Sequence, residues 1–154
     1  MRKALFLFMV LGLVGLMCGC ELGTTALSES DISDNYNEEV KKSLKKLIST
    51  GNCKECPFVG VDISGKDLKN KDLTRATLNG ADLTGANLTE ANLKGANLKD
   101  ADLNKANLFL ANLRNADLTG ANLKGAKIKN TRNLDSAIKC KTIFSWGEDN
   151  SGCK

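Results

Sequence analysis

Six cysteines and no histidine frame the chemistry open to this chain of 154 residues. Cys53 and Cys56 bracket two residues, a spacing that suits a redox pair, half of a metal site or a short disulfide. Cys140 and Cys153 stand near the other end, and Cys18 and Cys20 close an apolar run at the start. The missing histidine removes the commonest general base, the commonest zinc ligand and the usual near-neutral proton switch. Asp and Glu recur along the chain, but acid–base work needs a cleft that shifts a carboxyl pKa. Only seven residues are aromatic, and Phe6 and Phe8 fall in the leading apolar run. A core without large rings must be small and regular. The length allows one ordinary domain, and a net charge of +4 is too mild for a nucleic-acid binder. No catalytic residue, metal ligand, cofactor or small-molecule substrate is assigned.

The N-terminus carries an address. Met1-Arg2-Lys3 precedes an apolar run from Ala4 to Met17, the form of a secretory signal. At ~1.5 Å per residue that run reaches about 21 Å as a helix, short of a ~30 Å hydrocarbon core. A spanning helix is not expected. Gly19-Cys20 resembles the lipobox of bacterial lipoproteins, in which a small residue precedes a cysteine that is lipidated and becomes the new N-terminus. Cys18 fits poorly because bulky Met17 precedes it, and Met17 also stands where the pattern prefers Leu before Cys20. The resemblance implies a signal peptide over 1–19 and lipid attachment at Cys20. It also implies a membrane-anchored lipoprotein facing the periplasm or cell surface. Glu21 points to the outer membrane if the cell has one. A plainly cleaved signal is the alternative. Residues 20–35, small, polar and acidic, read as a flexible tether.

From residue 56 the chain counts in fives. The centres run Phe58, Ile63, then Leu68 to Leu123 at every fifth place, and Ile128. Two places earlier come Cys56, Val61, Lys66 and Lys71, then Ala at every step from Ala76 to Ala126. Asp or Asn stands before most centres. A period of five fits neither a helix at 3.6 nor a strand at 2, and a short exact repeat means a solenoid. The pattern A-(D/N)-L-x-x resembles the pentapeptide-repeat family over residues 56–130. That resemblance implies an all-β solenoid, a right-handed quadrilateral β-helix of about four coils with twenty residues to a coil. Strand spacing of ~4.8 Å makes it a rod about 18 Å long. Leu and Ala side chains would point inward, and Asn and Asp would tolerate the turns and bond to neighbouring backbone groups. Such an interior is filled and leaves no cavity. Lys66 and Lys71 depart from the pattern: either their stems run toward the open N-terminal end, or the first coil is irregular.

A solenoid exposes its core at both ends and needs caps. Within residues 36–55, Val40, Leu44, Leu47 and Ile48 share one helical face, with Glu38 and Glu39 near the start and Gly51 as a stop. This predicts a capping α-helix; a basic helix lying on a membrane is the rival. Residues 131–154 resemble the C-terminal extension of some exported pentapeptide-repeat proteins. Phe144 and Trp146 are expected to close the last coil.

In that fold the rod separates Cys53 and Cys56 from Cys140 and Cys153. A disulfide needs Cα atoms within ~7 Å, so local pairing is expected at each end, as suits an exported chain. The alternative keeps Cys53 and Cys56 as free thiols of an exported redox protein. The family also includes DNA mimics that bind gyrase, a topoisomerase, in the cytoplasm. Mimicry requires a strongly acidic surface, whereas residues 56–130 carry eleven Lys or Arg against eight Asp or Glu. Phe109 and Leu110 occupy outward places filled elsewhere by Thr, Lys, Gly or Asn, and form a possible interaction patch or a tolerated substitution. The expectation is a non-enzymatic structural or protein-binding module of the cell envelope. Its partners are the membrane, through the N-terminal lipid, and an unknown envelope protein, not nucleic acid.

Overall fold

A computed structural model describes residues 24–153. The expected signal, 1–19, and the lipidation residue Cys20 lie outside the described residues.

The period of five becomes a coil with a stride of twenty. In each unit the residue before the apolar centre forms a parallel bridge with its counterpart one coil on, as in Asp62 with Asp82 and Asp82 with Asp102. Four columns result. The first runs Asn52, Asp72, Asn92, Asn112, Arg132, and the second Pro57, Thr77, Asn97, Asp117, Ile138. The third runs Asp62, Asp82, Asp102, Asn122, Ile143, and the fourth Asp67, Asn87, Asn107, Lys127. Two backbone hydrogen bonds close each bridge: Leu83 N donates to Asp102 O at 2.8 Å and Asp102 N to Ala81 O at 2.9 Å. A third turns the corner, Ala86 N donating to Leu83 O at 3.0 Å. Every centre from Leu68 to Leu123 and every Ala from Ala76 to Ala121 is at most 1% exposed. Ala holds this narrow slot at every step from Ala76 to Ala126, while Cys56, Val61 and Thr142 fill it nearer the ends with their side chains buried.

Asn and Asp bond to neighbouring backbone as expected, but the corner itself falls on another residue. The Asn or Asp before each centre sits in the bridge, and its side chain reaches forward. Asp82 Oδ1 accepts from Thr84 N at 2.8 Å, and Asp117 Oδ1 from Thr119 N at 3.0 Å. The left-handed corner falls on the last residue of the unit. Gly85 and Gly95 adopt it at φ 66° and 65°, and so do Arg75, Glu90, Lys105 and Leu110 at φ 56–59°.

The coil also outlasts the expected 56–130. It begins at Asn52, which bridges Asp72, so Cys53 takes a centre slot and Cys56 an Ala slot, both buried. After Arg132 the 3-10 turn Leu134–Ser136 absorbs one extra residue and the stride becomes twenty-one. Asp117 bridges Ile138 and Asn122 bridges Ile143. Ala137, Thr142 and Phe144 then fill inward slots, with Thr142 Oγ1 donating to Leu118 O at 2.8 Å.

Helix α1 spans Glu38–Thr50. Asn37 Oδ1 accepts from Val40 N at 2.9 Å, and Gly51 ends the helix in the left-handed region at φ 68°. Val40, Leu44 and Leu47 are buried in the same apolar cluster as the coil's Leu and Ala, and Ile48 packs against it.

The expected tether is corrected over residues 24–35. Strand β1, Thr25–Ala26, pairs in parallel with β2, Lys66–Asp67, and so continues the fourth column by one rung. Leu27 is buried in the core, and Tyr36 Oη accepts from Asp62 N at 2.8 Å. Composition suggested a solvated segment because its few apolar residues, Leu27 and Ile32, are isolated in the sequence. They suffice because backbone pairing holds the rest.

At the far end β3, Thr142–Phe144, turns back into β4, Gly147–Asp149, which pairs antiparallel along the outer edge of the third column. Gly152 passes so close to Lys139 that a Cβ would lie 2.6 Å from its backbone N, which only glycine allows. Trp146 corrects the expectation of a plug. Phe144 is buried, but Trp146 stacks on it with centroids 4.7 Å apart and remains 70% exposed.

Candidate interaction surface

The cysteines resolve first. Cys53 is bonded to Cys56 across a Cα separation of 5.4 Å, and Cys140 to Cys153 across 4.6 Å. The Cys53 and Cys56 sulfurs stand inside the first coil, so this pair fastens the α1–coil junction from within. Cys140–Cys153 fastens the terminal loop to the last coil. Among the described residues no group of His, Cys, Asp or Glu could hold a metal ion.

The fourth column carries the expected patch. Phe109 is 38% exposed and Leu110 half-buried. The stride of twenty brings Thr89 and Lys129 to either side of Phe109, and Lys127 beside Asn107. Together these five residues line a shallow depression of about 530 Å³. Reading the sequence linearly missed Thr89, Lys127 and Lys129, although a stride of twenty points to all three. Leu110 sits in the left-handed region at φ 58°, where glycine or asparagine is the relaxed choice. The Phe109 ring, which shares the depression with Lys127 and Lys129, can accept an apolar group with a nearby negative charge.

The departure at Lys66 has a definite partner. Its Nζ lies 2.7 Å from Asp31 Oδ1 and donates to Thr25 Oγ1 at 3.1 Å. Partial burial works to raise the Asp31 pKa, but the Lys66 ammonium and the Ser28 N–H and hydroxyl outweigh it and hold the carboxyl below its ordinary value. Asp72 and Asp117 are lowered likewise: burial opposes, while Thr74 with Lys54 and Thr119 with Lys99 prevail. These are carboxylates kept ionised by neighbours. None is poised as an acid.

The column faces are mixed in charge. Asn ladders join coils along the first, with Asn112 Nδ2 donating to Asn92 Oδ1 at 3.2 Å and Asn133 Nδ2 to Asn112 Oδ1 at 2.9 Å. The family model for pentapeptide repeats (8 copies) matches residues 56–95, 72–108 and 96–132, which together take in half of the chain. The chain belongs to the pentapeptide-repeat family. Among solved structures this pentapeptide-repeat chain resembles HetL, a protein involved in heterocyst differentiation regulation from the cyanobacterium Nostoc sp. strain PCC 7120. Identity is 35% and the TM-score 0.50, covering 63% of this chain and 42% of HetL. A thylakoid-lumen pentapeptide-repeat protein of Arabidopsis thaliana matches at 28% identity and TM-score 0.42, covering 62% and 67%. Rfr23 of the cyanobacterium Cyanothece 51142 matches at 27% and 0.34, covering 62% and 92%. This chain thus spans less than half the length of HetL. No match was found among curated proteins. Pentapeptide-repeat proteins are in general structural or protein-interaction modules.

Proposed function

We propose that this chain is a lipid-anchored, extracytoplasmic module of the cell envelope, non-enzymatic, which presents a rigid surface to a protein partner. In this reading the coil is a right-handed quadrilateral β-helix plugged by α1. The observation that carries the address is the pair of disulfides, Cys53–Cys56 and Cys140–Cys153, in a chain headed by Met1-Arg2-Lys3, an apolar run and Gly19-Cys20. Disulfides persist in oxidising compartments and are rare in the cytosol. No described helix is long and apolar enough to cross a membrane. The proposed attachment is the lipid on Cys20, on the Gly19-Cys20 pattern. The Phe109 depression is the proposed contact with the envelope partner.

A DNA-mimicking regulator would need a strongly acidic face, and the repeat region carries a surplus of basic residues. A thiol redox role would need Cys53 and Cys56 free and accessible, and they are bonded and buried. Radiolabelled palmitate incorporation and membrane fractionation, in wild type and Cys20→Ser, test the proposal. Label that appears in wild type and vanishes in the variant supports it. An unlabelled, soluble, full-length protein overturns it.

A further inference from the structure

The docking of residues 25–36 limits how far the folded part can stand from a lipid on Cys20. Five attachments hold that segment. Thr25–Ala26 pairs with Lys66–Asp67, Thr25 N donates to Gly65 O at 3.0 Å, and Asp31 meets Lys66 at 2.7 Å. Leu27 is buried, and Tyr36 Oη accepts from Asp62 N. Only Glu21–Thr24 then separates Cys20 from β1. At ~3.5 Å per extended residue, the five steps from Cys20 to Thr25 span at most about 18 Å. Were the segment free, the seventeen steps to Asn37 would allow about 60 Å. The docked segment is therefore a short leash, and it emerges at the first coil, the end where α1 packs.

Helix α1 is two-sided. Val40, Leu44 and Leu47 enter the core. The opposite side exposes Lys42, Lys45, Lys46 and Ser49, and among the described residues none of these three lysines is ion-paired. Glu38 is engaged by Lys41 at 3.1 Å. Glu39 is exposed on α1, and Glu29, Asp34 and Glu38 border a depression shared with Lys41 and Lys45, while Lys42 and Lys46 lie outside it. Lysines held near an anionic leaflet are attracted to it within a Debye length.

We propose that the outer face of α1 is a membrane-contact surface. Lys42, Lys45 and Lys46 rest on anionic phospholipid headgroups, held there by the short leash to Cys20. This rests on the lipid anchor proposed above. The apolar face packs on the coil and the cationic face meets the bilayer, so one helix serves both ends of its thickness. The coil then projects outward. Its stacked rungs place Trp146 about 20 Å farther from the headgroups than α1.

The full-length lipidated protein tests this in vesicles carrying dansyl headgroups. Trp146 is the single tryptophan, so wild type reports the distal end. The double variant Ser49→Trp, Trp146→Phe reports the outer face of α1. In phosphatidylglycerol-containing vesicles, energy transfer from position 49 should exceed that from Trp146 at least twofold. It should fall in pure phosphatidylcholine, which requires no further substitution, and also with added Lys42→Gln, Lys45→Gln and Lys46→Gln. Equal transfer from the two ends, or indifference to lipid charge, in protein that carries palmitate and floats with vesicles overturns the contact and leaves the anchor standing. Protein that takes no palmitate and does not float overturns both.

Discussion

Lys66 Nζ lies 2.7 Å from Asp31 Oδ1, which ties an inward slot of the first coil to a segment thirty-five residues earlier. From Ala76 to Ala126 that slot holds Ala. The two partners are therefore not equivalent on mutation. Lys66→Ala restores the residue the coil uses elsewhere and loses the pair. Asp31→Asn leaves a half-buried ammonium with a weaker acceptor. We expect Asp31→Asn to cost about 1–2 kcal/mol of folding stability and Lys66→Ala less, by urea denaturation. Both should expose residues 27–35 to protease. Equal stability costs would show that the pair does not bear on the coil.

The same pair sets a pH dependence. Asp31 is held below its ordinary pKa of 3.8, so the unfolded chain takes up protons first as pH falls. The stabilisation is complete above about pH 5 and is lost as pH drops through 3.8 toward the lower folded value. Asp72 and Asp117 act in the same direction. Thermal melts of wild type and Asp31→Asn should therefore converge as the pH falls below 3.8 and past the lower folded value. A gap that persists there would assign the effect to shape and not charge.

The Leu and Ala ladders fail in opposite ways. Leu103→Ala deletes a fully buried side chain and should cost about 2–5 kcal/mol by denaturant titration. Ala101 is 1% exposed with coil backbone around it, so Ala101→Leu should cost at least as much through strain. A neutral Ala101→Leu would mean the corner can widen.

The stride of five was readable because each unit repeats the same two inward residue types, and the local disulfides followed from the separation of the two ends. What the residues hid was register across coils. Cys53 occupies a centre slot without resembling Leu, and Ala137, Thr142 and Phe144 resume the pattern only after a one-residue insertion. The docking of Thr25–Ala26 is a backbone matter, with no side-chain signature. The patch at Phe109 was visible as two residues, but Lys127 and Lys129 join it only through the stride of twenty.

Leu110 offers a test that separates strain from binding. At φ 58° its Cβ crowds the carbonyl, and Asn is the natural corner residue, as at Asn70 and Asn130. Leu110→Asn should therefore raise stability by about 0.5–1 kcal/mol. Phe109→Ala, with its ring 38% exposed, should leave stability within about 0.5 kcal/mol. If the depression is the partner contact, Phe109→Ala should recover less of an envelope partner in crosslinking from intact cells, while Leu110→Asn, outside its lining, should recover as much as wild type. A Leu110→Asn variant that is destabilised would mean the leucine is held by packing and the corner is not strained.

The two disulfides should differ in both cost and access. Cys140 and Cys153 are thirteen residues apart, and the chain-entropy model gives their closure about 3 kcal/mol. Cys53 and Cys56 are three apart, which gives about 2 kcal/mol. Access runs against cost, because Cys53 and Cys56 are buried while Cys153 is exposed. Graded reductant with thiol trapping should therefore open Cys140–Cys153 first, freeing the terminal loop while the coil stays folded. Cys53–Cys56 should resist until the coil itself melts, because its sulfurs stand in inward slots. Simultaneous opening of both at low reductant would mean that the first coil frays as readily as the tail, and that the packing of α1 against it is weak.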